Sequence, residues 1–369
     1  MIDNIIKKLN SIKNLKIKAL LGFDGFIDNI SHVVDKRISS DNYTRIKYIK
    51  DYGERISAAS GLSTNIEWIL KQQKIGGNGP IMANALFNHN IDISYIGSLG
   101  YPKIDPLFED FATKSSAISI DEPGISDAIE FLDGKIIMGK MSFRRINYEN
   151  IIKSIKSGNF NQLIDKSNLF ACLNWSMINN MTLIWKNIIN LNLPKLKVKD
   201  KKPIFFVDLA DPQKRNHEDI LEALKLLRKF KSHFNVILGL NKKEAVHICK
   251  IISSHENKLD VSKLNLEKLC SYLYDYLNID QVVIHPVDRA CAFSNNKYYE
   301  VVGPYEEKPL LTTGAGDNFN AGYILGQLIG LDIESSLKTG VCSSGFYVRN
   351  ARSANTNDLI EFIKKSDNQ

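Results

Sequence analysis

The chain has 369 residues, 44% of them hydrophobic and 24% charged, which is ordinary globular composition with ample material for a large core. Its net charge of +7 is spread along the sequence. The one dense stretch, KLKVKDKKP at 195–203, has no interleaved aromatics and reads as a solvated loop, so no nucleic-acid partner is expected. No uncharged apolar run approaches the ~20 residues that span a bilayer, and the N-terminus mixes lysines among its apolar residues, unlike a secretory leader.

In chain order, the first candidate strand is KIKALLGF (16–23), running into LLGFDGFID with Asp24 and Asp28 just past its end. Residues 31–63 break the rhythm and read as mixed polar, partly helical sequence. KIGGNGPIMANAL (74–86) is a glycine-rich turn leading into a helix of small residues, and ISYIGS (93–98) is the next strand. Within 116–145, ISDAIEFLDGKIIMGKMSF reads as a hairpin turning at Asp133-Gly134.

From 165 to 300 short apolar runs alternate with helical patterns. The strands are LFACLNW (169–175), PIFFVDLA (203–210), NVILGL (235–240), QVVIHP (281–286) and CAFSNN (291–296). Between them, 178–191, 218–230, 242–252 and 266–277 carry apolar residues at three- and four-residue spacing. Near-continuous apolar strands joined by helices predict an α/β fold with right-handed parallel crossovers. The five cysteines, Cys172, Cys249, Cys270, Cys291 and Cys342, form no C-x-x-C pair and lie near no histidine pair. They read as reduced, buried thiols of a cytoplasmic protein, not as zinc ligands. GKIIMGKM (134–141) nearly spells a P-loop, but Met141 replaces the hydroxyl that would meet magnesium, and Ile-Ile-Met reads as strand.

The strongest feature is LLTTGAGDNFNAGYILGQLIG at 310–330. Thr312-Thr313 lead into Gly314-Ala315-Gly316, and Asp317 opens a helix. Glycines let the backbone approach a ligand closely, and the first helical N–H groups are unpaired at the positive end of the dipole. The turn therefore suits a transferring phosphoryl group, with the Asp317 carboxylate placed to accept a proton. An N-capping Asp after a glycine turn would produce the same string.

TTGAGDNFNAG resembles the C-terminal signature of the ribokinase (PfkB) family of carbohydrate kinases, D-T-x-G-A-G-D-x-F-x-A-G, with Leu311 in place of its leading acidic residue. The GGNG turn about 235 residues earlier resembles the family's N-terminal glycine motif, and the likeness extends from about residue 17 to 360. It implies a ribokinase-like three-layer α/β/α core with a mostly parallel sheet and a small β-rich lid. Residues 1–30, 64–115 and 146–369 would form the large nucleotide- and substrate-binding domain, and 31–63 and 116–145 the lid inserts.

The resemblance further implies an ATP-dependent kinase acting on a hydroxyl of a sugar-like molecule. Asp317 would be the general base, with the amides of Gly314, Ala315 and Gly316 as anion hole. Asp28 and, second, Asp24 would hold substrate together with Gly77 and Asn78. Asn241 and Glu244, an N-x-x-E element after a strand, would organise Mg²⁺ and phosphate; a helix cap would show the same pattern. Thr312, Gly314, Gly316, Asn241 and Gly345 would lie along the nucleotide, and Asp208 near its phosphates. A monovalent cation and a homodimer through the lid are further expectations from the family. A nucleoside kinase and a catalytically inactive ligand-binding relative are the alternatives.

Overall fold

The computed structural model describes residues 1–141, 143–155, 159–256 and 260–367. Residue 142, in the expected lid segment, lies outside them, as do residues 156–158, 257–259, 368 and 369 of the expected large domain. In chain order the strands are β1 Lys18–Phe23, β2 Phe26–Arg37, β3 Tyr43–Arg45, β4 Trp68–Gly76, β5 Asp92–Gly97, β6 Ser116–Ser119 and β7 Gly124–Glu130. They continue as β8 Lys135–Lys140, β9 Leu169–Leu173, β10 Ile204–Asp208, β11 Asn235–Leu240, β12 Gln281–Ile284, β13 Arg289–Ser294 and β14 Lys297–Val302.

Nine of these form one sheet in the order β14-β13-β12-β11-β10-β9-β1-β5-β6. The pairings from β12 across to β6 are parallel. The last expected strand, 291–296, does not continue the crossover pattern: β13 returns antiparallel to β12, and β14 antiparallel to β13. Only the short turn 285–288 separates β12 from β13, too little chain for a helical crossover.

The apolar runs alternate between two cores. Leu20, Phe170 and Phe205 enter one, while Leu21, Ala171 and Phe206 enter the other. Because successive strand side chains point to opposite faces, continuous apolar strands require helices on both faces, which is the three-layer α/β/α arrangement. Stacking of Phe205 on Phe230, with ring centroids 4.0 Å apart, shows how closely one helical layer approaches the sheet. All five cysteines are buried free thiols.

The smaller sheet is the lid, built on β2, which follows β1 after only Asp24 and Gly25. β2 pairs antiparallel with β3 and β4 and parallel with β7, which forms the expected hairpin with β8. The segment 31–63 is thus partly strand, since β2 continues to Arg37 before the helix Ile49–Ser57. β4, inside the 64–115 span expected for the large domain, also pairs in the lid. Val33, Ile46, Tyr52, Ile129 and Phe131 form a small apolar cluster of the lid, apart from the two main cores. Asp28, Ser126 and Lys135 instead line a cavity between the lid and the carboxyl ends of the central strands.

Candidate active site

Two cavities meet at the glycine turn that precedes the helix Ala315–Leu328. The larger, about 910 Å³, lies under the lid and reaches Asp28, Asn78, Thr313, Gly314 and Asp317. The smaller, about 330 Å³, reaches Asn241, Thr312, Ala315, Gly316, Ser344 and Gly345. The turn 312–317 is therefore a shared wall, its residues dividing between the two sides.

Gly314 caps that helix at φ +94°, a left-handed conformation, and a Cβ there would come within 2.8 Å of the Tyr347 hydroxyl. Both facts demand glycine. The Ala315 N–H is committed to the Thr312 carbonyl at 3.1 Å, which closes the turn. Ala315 is thus unlike its expected role in the anion hole: its amide is already spent. The amides of Gly316 and Asp317, in the first helical turn, have no carbonyl four residues back within the helix.

Asp317 is buried, and its Oδ1 accepts from Asn78 Nδ2 at 2.9 Å. Burial raises its carboxyl well above the usual range; the Asp208 charge adds to this, and the Asn78 hydrogen bond opposes it. A carboxyl so placed is a stronger proton acceptor once ionised than one in water.

The glycine turn 76–79 explains Asp24. Its Oδ2 accepts from the Asn78 amide at 3.0 Å and from Asn174 Nδ2 at 2.8 Å, and its Oδ1 from the Gly79 amide at 2.9 Å. Asp24 has no exposed surface and does not line the cavity. It differs in this from its expected place on substrate: its oxygens are spent on the start of the helix Asn78–Phe87, where a carboxylate satisfies unpaired N–H groups. Burial raises it to about 6 against those hydrogen bonds. Gly77, at φ +94°, leaves no room for a Cβ, which would sit 2.9 Å from Asp24 Oδ2. Asp28, by contrast, lines the cavity; burial raises its carboxyl, while Lys74, Ser126 and Lys135 pull it down.

Asn241 and Glu244 form a reciprocal cap on the helix Lys242–Glu256. Glu244 Oε2 accepts from the Asn241 amide and Asn241 Oδ1 from the Glu244 amide, both at 2.9 Å. Asn241 therefore departs from its expected place as a metal ligand, since Oδ1, the atom a cation would take, holds the cap. Burial and the charge of Asp208 raise Glu244 to about 9. Asp208 is itself raised by burial, while its oxygens accept from the Ala210 amide and from Asn320 Nδ2.

Among the described residues no three His, Cys, Asp or Glu side chains converge as a direct metal cage. Carboxylates close enough that the charge of Asp208 raises Glu244 fit a hydrated magnesium carried on phosphates, which needs only one or two of them. The small cavity ends against His285, tilted at 32° against Phe319 with centroids 4.7 Å apart, and against apolar Val341 and Val348.

Several cavity residues had not been singled out from the sequence. Asn174, at the carboxyl end of β9, has φ +59° and a buried Oδ1 without a partner among the described residues. Lys74 and Lys135 project from β4 and β8 into the same cavity, and Lys214 and Arg215 line it from beyond β10. For the lid lysines the signal was available: along each lid strand, alternate residues face one side.

A family model described as prokaryotic ketohexokinase matches residues 10–366. The chain belongs to that family. A ketohexokinase from Haloferax volcanii is 24% identical over 348 residues, covering 94% of this chain and 90% of the relative. Phosphofructokinase-2 from Escherichia coli, solved as a mutant, superposes with a TM-score of 0.66 at 13% identity, covering 96% of this chain and 99% of that one. An Arabidopsis thaliana ribokinase complexed with ribose and ATP superposes with a TM-score of 0.60 at 13% identity, covering 95% and 98%. The fold is thus that of the ribokinase (PfkB) carbohydrate kinases, and membership of the ketohexokinase family makes the chain a carbohydrate kinase.

Proposed function

We propose that this kinase transfers the γ-phosphoryl group of ATP to a hydroxyl of a ketohexose, with Asp317 as general base. The observation that supports this most is the shared wall: Asp317 and Gly314 line the lid cavity, while Thr312, Ala315 and Gly316 line the other. An acceptor hydroxyl on one side and a nucleoside triphosphate on the other would meet at unpaired amides. Such placement supplies most of what phosphoryl transfer needs from a protein.

The sugar would lie under the lid, with Asp28 and the Gly77-Asn78 turn on its hydroxyls. Asp28, which lines that cavity, would bind substrate directly, while Asp24 would hold the turn from behind. The nucleotide would occupy the smaller cavity beside Ser344, Gly345 and Val341, with Thr312 and Asn241 Nδ2 toward its phosphates. Magnesium, held through water by Glu244 and Asp208, would neutralise phosphate charge. Asp317 takes the hydroxyl proton as oxygen attacks phosphorus, and the amides of Gly314, Gly316 and Asp317 face the charge that develops. Lid and core together exclude water, which limits wasteful hydrolysis.

The test is ADP release from MgATP across ketohexoses, aldoses and nucleosides. Turnover confined to ketohexoses supports the assignment. A preference for nucleosides would move the substrate class while leaving the shared wall intact.

A further inference from the structure

We propose that Lys135, carried by the lid, is a catalytic residue that contacts the transferring phosphoryl group when the lid is shut. This rests on the phosphoryl-transfer site proposed above, though not on which sugar accepts. Lys135 opens β8 directly after the hairpin turn, and its Nζ donates to the Thr313 hydroxyl across 178 residues of sequence. Thr313 precedes Gly314, so the ammonium sits at the wall that the two cavities share.

Its surroundings suit a charge held in reserve. Lys135 is half-buried; burial and Lys74 disfavour its charge, while Glu130 and Asp28 favour it. Lys140, on the same strand, is engaged with Asp127. Arg215 bonds to Asp219 and the Asn179 carbonyl and lies over Trp175. Lys135 is instead tied to a neutral hydroxyl, a partner that an anion displaces readily because hydrogen bonds between charged groups are stronger.

In the transfer, the acceptor oxygen forms its bond to the γ-phosphorus as the bond from phosphorus to the β,γ-bridging oxygen breaks. The acceptor proton passes to Asp317, and ADP leaves with the bridging electron pair. Lys135 keeps its proton and donates hydrogen bonds to the equatorial oxygens, where charge is spread. Because the lid carries Lys135 to the Thr313 wall, phosphoryl stabilisation depends on lid position, whether or not a sugar is bound.

The test compares Lys135→Met, Lys135→Arg and Thr313→Val, in MgATP turnover with sugar and in MgATP hydrolysis without it. Lys135→Met should lower kcat by roughly 100-fold, with the KM for MgATP changed less than about 3-fold. Lys135→Arg should recover about 10-fold of that loss by keeping the charge, and Thr313→Val, which removes the hydroxyl partner but keeps the ammonium, should lose about 10-fold less kcat than Lys135→Met. Three results would overturn the proposal. A Met variant with unchanged kcat and raised sugar KM would make Lys135 a ground-state sugar contact. A Thr313→Val loss equal to that of Met would make the pair a structural latch. Unchanged hydrolysis without sugar would remove contact with the phosphoryl group. That last arm needs no ketohexose, so it reads Lys135 even where the substrate assignment fails.

Discussion

Asn78 donates from Nδ2 to Oδ1 of Asp317 at 2.9 Å, joining two glycine turns that lie 239 residues apart in sequence. The backbone amide of the same Asn78 is held by Asp24. The start of one helix thereby orients the carboxylate at the start of another. Burial, then Asp208, raise the Asp317 carboxyl, and the Asn78 bond pulls it down.

The base works only when ionised, so kcat/KM should climb as pH rises through a value above the ordinary carboxylate range. Removing the Asn78 bond with Asn78→Ala should move that acidic limb to still higher pH. A pH profile of kcat/KM for parent and variant checks this; an unmoved limb, or one shifted to lower pH, would contradict it.

Asp317→Asn should cost about 10³-fold or more in kcat and yet stabilise the fold. A carboxyl raised in the folded state favours folding while protonated. That contribution is complete below its unfolded value and is lost as pH rises through the raised one. Asparagine removes the loss, so the variant should melt at least roughly 2 °C higher at about pH 8. The gain should vanish at about pH 3. Thermal unfolding at both pH values measures it.

The two early aspartates should separate cleanly. Asp28→Ala should raise the sugar KM about 10-fold or more, in the range of a lost hydrogen bond to a charged group, with little change for MgATP. Asp24→Ala should destabilise by on the order of 3 kcal/mol or more, because it strands the Asn78 and Gly79 amides and Asn174 Nδ2. Denaturant unfolding beside steady-state kinetics distinguishes them. A soluble, stable Asp24→Ala with only a raised sugar KM would return Asp24 to the substrate.

Filling the smaller cavity should act on nucleotide alone. Ser344 lines its roughly 330 Å³ beside Val341 and Val348. Ser344→Trp should raise the MgATP KM about 10-fold or more by occupying that volume, while sugar affinity stays near the parent value. Titration with each ligand separately reads the difference.

The central fold was legible because continuous apolar strands have one stable arrangement, a sheet covered on both faces. β9 and β10 show it, with every residue buried. The glycine turns were legible because few residues tolerate φ near +94°. The lid was only half legible. Its hairpin was visible through Asp133-Gly134, but β4 reads WILKQQKIG, a strand whose polar run is exposed and whose identity depends on β2 beside it. The roles of Asp24 and Asn241 were hidden for another reason. A carboxylate or amide that caps a helix and one that meets a ligand look the same in sequence, and only their partners tell them apart.

The most direct test of the central claim is ADP release from MgATP with a ketohexose, run beside Asp317→Asn and with nucleotide affinity measured on both proteins. The account predicts sugar-dependent turnover in the parent, its loss in the variant, and MgATP affinity within about 3-fold between them. Turnover in Asp317→Asn comparable to the parent would contradict Asp317 as the base at the wall between the two cavities.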